Sequence, residues 1–248
     1  MTTNPRIYTK DIVDSLKELG WTISAAESCT SGMFLSSLAD VPGASEVLDM
    51  GFVTYSTKSK TKLVGVDSST INTYGVVSEE VAKAMAKGAA ETANANVGIG
   101  ITGYAGPGGG TDRAPVGTVC LGFYINGRVF SKTIQPDASK GRVFVRARAV
   151  EEATNVLGIE LKRIINKDPI PFSLEGILDY AVNTAQAFSE VEFTHENGKK
   201  FLVLDAYNGL FREEGNSHFT ILSELQRQYE DEEVFYLSQD TQNKAPTI

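Results

Sequence analysis

Histidine and cysteine are scarce in this chain, with two of each among 248 residues, and there is a single tryptophan. Both histidines, His195 and His218, sit in the C-terminal part, so a Ser-His-Asp triad built near the N-terminus would have to borrow its base from there. Cys29 and Cys120 are too few for a disulfide framework and match no zinc spacing, so free thiols are expected. A basic excess is lacking too: 23 Lys and Arg stand against 31 Asp and Glu, a formal charge of -8 with a pI near 4.9. That balance excludes a nucleic-acid polyanion as the main partner, because phosphate neutralisation needs clustered cations. No apolar run approaches the roughly 20 residues of a spanning helix, and residues 1–20 hold no signal-peptide core. The expectation is a soluble cytoplasmic protein with no membrane partner. What is present, 42% hydrophobic and 22% charged residues, suffices to bury a sizeable core.

Ile12, Val13, Leu16 and Leu19 recur at helical spacing before Gly20, so an opening amphipathic helix is expected to stop at that glycine. A short strand over 21–26 follows, then a turn, then a helix burying Met33, Phe34, Leu35 and Leu38. Residues 47–56 read as a second strand, and 59–63 as the start of another helical turn. Ser78-Glu79-Glu80 begins an alanine-rich helix running to Ala93. A strand over 97–102 feeds a glycine-rich loop, and runs at 117–124 and 128–134 bracket Asn126-Gly127 as a β-hairpin. A long closing helix spans 139–165. The expected fold class is α/β, a three-layer mixed β-sheet covered by helices. Pro169 and Pro171 mark a break, giving domains at 1–167 and 168–248. The second is read as an α+β extension with a helix over 173–188, strands over 191–194 and 201–206, a helix over 217–229, a strand over 234–237 and a frayed end over 238–248.

Chemistry gathers at Glu27-Ser28-Cys29-Thr30-Ser31-Gly32, between a strand end and a helix start. Unpaired amides at such a junction can hold an oxyanion or phosphate beside a serine. The plainer reading is that Ser28 or Thr30 caps the helix. A Cys29 nucleophile lacks a histidine partner. Tyr55 and Lys60 form a candidate pair to activate Ser28, with a desolvated lysine taking its proton directly or through the phenol. Alone, Lys60 between Lys58 and Lys62 reads as solvated surface charge. The loop Thr102-Gly103-Tyr104-Ala105-Gly106-Pro107-Gly108-Gly109-Gly110 can bring amides close to a ligand, or be a mere flexible turn; it is no P-loop. Arg142 and Arg146 lie one turn apart on the closing helix, and either can hold a phosphate or pair with a carboxylate such as Glu151.

Taken in order, AAESCTSG, GFVTYSTKSK, VSEEVA, GYAGPGGGTDRAPVGTV and GRVFVR resemble the CinA C-terminal family, the nicotinamide-nucleotide amidases. The resemblance implies deamidation of nicotinamide mononucleotide to nicotinate mononucleotide and ammonia, with no metal or organic cofactor. It puts the catalytic group on Ser28, Tyr55 and Lys60, and substrate contacts on Glu27, Cys29, Thr30, Ser31, Gly32, Thr102, Gly103, Ala105, Gly106 and Arg142, the last for the phosphate. It also implies a homodimer whose partner is a small-molecule nucleotide. Ser31 departs from the family's Gly-Gly pair, Tyr104 from a small aliphatic residue, and the part after Pro169 has no counterpart in the minimal amidase. The competing reading is a nucleotide-binding regulatory protein that retains the pocket without turnover.

Overall fold

The computed structural model describes residues 8–167, 170–172, 174, 177, 191–195, 197–205, 210–229 and 235–237. It divides into two compact units, Met1–Lys162 and Arg163–Ile248. In the first lie α1 (Thr9–Leu19), β1 (Ile23–Glu27), α2 (Met33–Ala39), β2 (Phe52–Val53), α3 (Thr57–Val64), α4 (Ser68–Tyr74), α5 (Glu79–Ala93), β3 (Val97–Gly103), β4 (Val119–Ile125) and β5 (Arg128–Ile134). Helix α6 (Arg142–Asn166) begins in this unit and runs past its end. The sheet order is β2-β1-β3-β4-β5. β1 pairs in parallel with β2 and β3, and β4 and β5 complete the sheet antiparallel. This is the mixed α/β sheet expected from the alternation of elements.

Local chemistry sets the ends. Gly20 takes a φ of 66° and closes α1, as a left-handed helix cap requires. Ser78 accepts the Val81 amide at the start of α5. Asn126 and Gly127, with φ of 46° and 97°, turn β4 into β5. The sequence VGIGITG in β3 explains the layering. Val97, Ile99 and Ile101 are fully buried, while Gly98 and Gly100 face the opposite way. A Cβ on Gly98 would meet the Ala86 carbonyl at 2.1 Å, and one on Gly100 the Ala82 carbonyl at 2.2 Å. The alanine stripe of α5 therefore lies directly on the glycine stripe of the sheet.

Two differences from the sequence reading stand out in this unit. The strand expected over 47–56 breaks into a single bridge of Leu48 to Ile23 and a two-residue strand, Phe52–Val53, beside the end of β1, because the residues between them leave the ladder. Helix α4 had no apolar periodicity to announce it; Asp67 caps it by accepting the Ser69 amide, and Ile71 alone is buried.

The second unit is a six-stranded sheet of antiparallel pairs in the order β10-β9-β8-β7-β11-β6. Its strands are β6 (Ile170–Phe172), β7 (Val191–His195), β8 (Lys200–Asp205), β9 (Leu210–Glu213), β10 (Thr220–Ile221) and β11 (Phe235–Leu237), with α7 (Leu222–Gln228) before the last. Leu174, Ile177, Phe193, Phe201, Val203, Phe211, Leu225 and Phe235 form its core. The buried His195 ring lies 4.7 Å from that of Tyr229 and 4.8 Å from that of Phe235. Pro171 is tolerated because β6 is the edge strand. Apart from Leu174 and Ile177, the helix expected over 173–188 lies outside the described residues, as does 238–248. The unit boundary falls within α6, whereas the proline signal set it after 167.

Candidate active site

The carboxyl ends of β1 and β3 lie side by side, with Glu27 paired to Ile101. Ser28 follows β1 at once, and its amide donates to the Ile101 carbonyl at 2.8 Å. The chain then reverses in a turn in which the Met33 amide donates to Thr30 O at 3.2 Å. Its two central residues, Ser31 and Gly32, have φ of 53° and 95°. Positive φ at both is what a type I′ turn demands, and glycine meets that demand without steric cost. Ser31 meets it with strain on the order of 1 kcal/mol.

Glu27 shares its face of the sheet with Ile99 and Ile101 and is fully buried. Its carboxylate accepts the amides of Gly32 at 2.9 Å, Phe34 at 3.2 Å and Leu35 at 3.0 Å. The acid closes the start of α2 from within the chain. Glu27 thus has a structural task, and the helix-end amides it takes are not available to an oxyanion.

Lys60 reaches Ser28 from the other side. Ser56 and Ser59 cap α3 reciprocally, each hydroxyl accepting the other's amide, and the helix points Lys60 and Val64 inward. Lys58 and Lys62 stay exposed, because a step of two residues on a helix turns about 200° to the opposite side. Lys60 has 0% exposure. Its Nζ donates to Ser28 Oγ at 2.9 Å and to the Thr54 carbonyl at 2.8 Å. Burial lowers its pKa from 10.5 to about 8. Thr54 is itself fixed by donating its amide to Glu27 O at 2.8 Å.

Tyr55 makes no hydrogen bond to Ser28 among the described residues. It is 59% exposed, and its hydroxyl accepts from Arg142 Nη2 at 2.8 Å. Arg142 Nη1 donates to the Gly106 carbonyl at 2.8 Å, so this arginine ties Tyr55 to the glycine-rich loop. Arg146, one turn later, donates from Nε to Cys29 O at 2.9 Å and from Nη2 to Thr30 O at 2.8 Å. The Cys29 thiol is buried, which pushes its pKa up to about 12 and leaves it protonated and inert. The Thr30 hydroxyl is buried without a hydrogen bond among the described residues.

In the glycine-rich loop, the Thr102 hydroxyl donates to Val76 O at 2.8 Å and Ala105 is buried. Gly103 is tight against its neighbour strand: a Cβ there would meet Thr118 O at 2.8 Å. Gly106 has a φ of 84°. Tyr104 packs with Val77, Ala82, Ala114 and Cys120, and its ring lies where a Cβ on Gly109 would touch it at 3.2 Å. It steadies the loop. Of the catalytic group expected from sequence, Ser28 is hydrogen-bonded to Lys60, and Tyr55 to Arg142. Sequence reasoning missed Thr54, whose part is played by a main-chain carbonyl and leaves no side-chain signal.

Fold and site together define an α/β domain with a buried lysine on a serine at the carboxyl edge of its parallel strands. The profile of the CinA C-terminal domain matches residues 6–161, and the chain belongs to that family. A CinA-like protein of Kosmotoga olearia is 43% identical over 136 residues, 55% of this chain and 33% of that protein. One of Chlorobaculum tepidum is 51% identical over 112 residues, 45% of this chain and 26% of that protein. The chain thus spans a third or less of the length of these relatives. A competence/damage inducible protein structure from Agrobacterium tumefaciens is similar at 38% identity and TM-score 0.59, covering 62% of this chain and 93% of that one. A CinA superfamily structure from Klebsiella pneumoniae gives 32% and 0.58, covering 62% and 96%. Among the described residues, no helix is long and apolar enough to cross a membrane.

Proposed function

We propose that the chain is an amidohydrolase that deamidates nicotinamide mononucleotide to nicotinate mononucleotide and ammonia, with Ser28 as nucleophile and Lys60 as its base. The observation that carries this reading is the Lys60 Nζ contact of 2.9 Å to Ser28 Oγ, made by a fully buried amine. With a pKa of about 8, roughly one lysine in ten is neutral at pH 7 and able to accept a proton. Neutral Lys60 takes the proton as Ser28 Oγ bonds to the carboxamide carbon. The tetrahedral oxyanion is held by amides of the turn after Ser28, those that Glu27 does not take. Protonated Lys60 returns its proton to the departing nitrogen, ammonia leaves, and the acyl ester on Ser28 is hydrolysed by water that Lys60 deprotonates.

Tyr55 stands outside this proton path and orients Arg142 at the mouth, where the guanidinium meets the nucleotide phosphate. The test is ammonia and nicotinate mononucleotide release by wild type, Ser28→Ala and Lys60→Ala, beside a panel of other amides. Turnover lost in both variants supports the assignment. Nucleotide binding without turnover of any amide by wild type replaces it with the regulatory reading.

A further inference from the structure

Arg146 takes no part in the reaction just described, yet its side chain ends on the turn that holds Ser28. Its Nε and Nη2 engage two successive main-chain carbonyls, Cys29 O at 2.9 Å and Thr30 O at 2.8 Å. A planar guanidinium fork fixes two such acceptors in direction as well as distance, which a flexible ammonium does not. In a trans peptide the C=O of one residue and the N–H of the next point opposite ways. Drawing the Cys29 and Thr30 carbonyls toward Arg146 therefore turns the Thr30 and Ser31 amides to the far side of the turn. Neither amide donates to another described residue.

The turn has reason to need a hold. Ser31 occupies a left-handed conformation with φ of 53°, in which a side chain is strained. Glu27 grips the chain after the turn through the Gly32, Phe34 and Leu35 amides. Among the described residues, Arg146 is the one side chain that donates to the Cys29 and Thr30 carbonyls, and Thr30 O also accepts the Met33 amide. With Nε and Nη2 both committed to backbone, Arg146 is poorly placed to hold a phosphate, which leaves that task to Arg142.

We propose that Arg146 is a positioning residue: it sets the peptide planes that follow Ser28, and so the aim of the nucleophile and of the adjacent amides, without touching substrate. The proposal rests on Ser28 being the nucleophile.

The experiment compares the full chain as wild type, Arg146→Gln, Arg146→Lys and Ser28→Ala in two assays. One is steady-state deamidation of nicotinamide mononucleotide. The other is covalent labelling by a fluorophosphonate, in which Ser28 Oγ bonds to phosphorus, fluoride leaves and the serine proton passes to Lys60. For Arg146→Gln, kcat and the labelling rate fall together on the order of 10–100-fold while KM stays within about threefold. Added guanidinium ion restores part of both, Arg146→Lys falls between, and the midpoint near pH 8 set by Lys60 is retained. Wild-type kcat and labelling in Arg146→Gln overturn the proposal, and so does a loss confined to KM, which would make Arg146 a substrate contact. A loss without guanidinium rescue, equal in the Gln and Lys variants and matched by a lowered Tm, also overturns it and leaves a scaffold role. If Arg146→Gln does not fold, Arg146→Lys and its kcat-to-KM split decide. Failure of the underlying reading is separate: wild type unlabelled at Ser28, or Ser28→Ala turning over normally, removes the nucleophile whatever Arg146 does.

Discussion

Lys60 and Arg142 are both cations of the same site, but they meet different solvents. Lys60 is fully buried against Ser28 and Thr54, whereas Arg142 is exposed and links Tyr55 to the Gly106 loop. Burial costs the lysine its full affinity for a proton, and that loss suits it to act as a base. The proposed reading gives the exposed arginine the nucleotide phosphate to attract. Under the proposed function the inner half of the site serves proton transfer and the outer half anion recognition.

The sharpest way to break this division is to remove each cation in turn. Ser28→Ala and Lys60→Met should each lower kcat for nicotinamide mononucleotide on the order of a thousandfold or more, read as ammonia release. Arg142→Ala losing kcat to the same degree would erase the distinction between inner and outer halves.

The next effect is on pH. The proposed mechanism needs neutral Lys60, so kcat/KM is expected to rise with pH to a midpoint near 8. Stability follows the same group. Its folded pKa of about 8 lies below the ordinary 10.5, so between these values the unfolded chain binds more protons and stability rises with pH. The gain is roughly 3 kcal/mol in denaturant unfolding, measured against Lys60→Met, which lacks it. A flat difference between the two proteins from pH 8 to 10.5 would mean that Lys60 is better solvated than its burial implies.

A smaller effect is expected at the mouth. Arg142→Ala should raise KM about tenfold, near 1.4 kcal/mol, for the mononucleotide and hardly at all for nicotinamide riboside, which has no phosphate. Equal losses on both substrates would move Arg142 from recognition to structure. The smallest effect belongs to the turn. Ser31→Gly should raise stability by about 0.5–1 kcal/mol in thermal unfolding, since relief of the left-handed strain exceeds the added chain entropy. A loss of stability there would show that the Ser31 side chain makes up for its strain.

Much of the fold was legible because its signals are local. The αL glycine after Leu19, the Asn126-Gly127 turn and the alanine-rich run after Ser78 each determine structure within a few residues, and the observed elements begin or end there. Less legible were α4, which lacks a periodic apolar face, and β2, whose length depends on how much of an edge segment finds β1. In the site, Ser28 and Lys60 were readable as candidates from residue type and order. Their alternatives, a cap and a solvated lysine, were equally consistent with sequence alone.

By itself the sequence determined the α/β class, the turn between the first strand and the helix after it, and the set of polar groups from which a site can be made. Only the tertiary structure decided how they are shared out: Lys60 to Ser28, Tyr55 to Arg142, Arg146 to the carbonyls of Cys29 and Thr30, and Glu27 to the amides of α2. The reason is that pairing at hydrogen-bond distance depends on which faces of α3 and α6 turn toward the end of β1. Those orientations are set by packing among residues far apart in the chain, and composition and spacing do not encode them one position at a time.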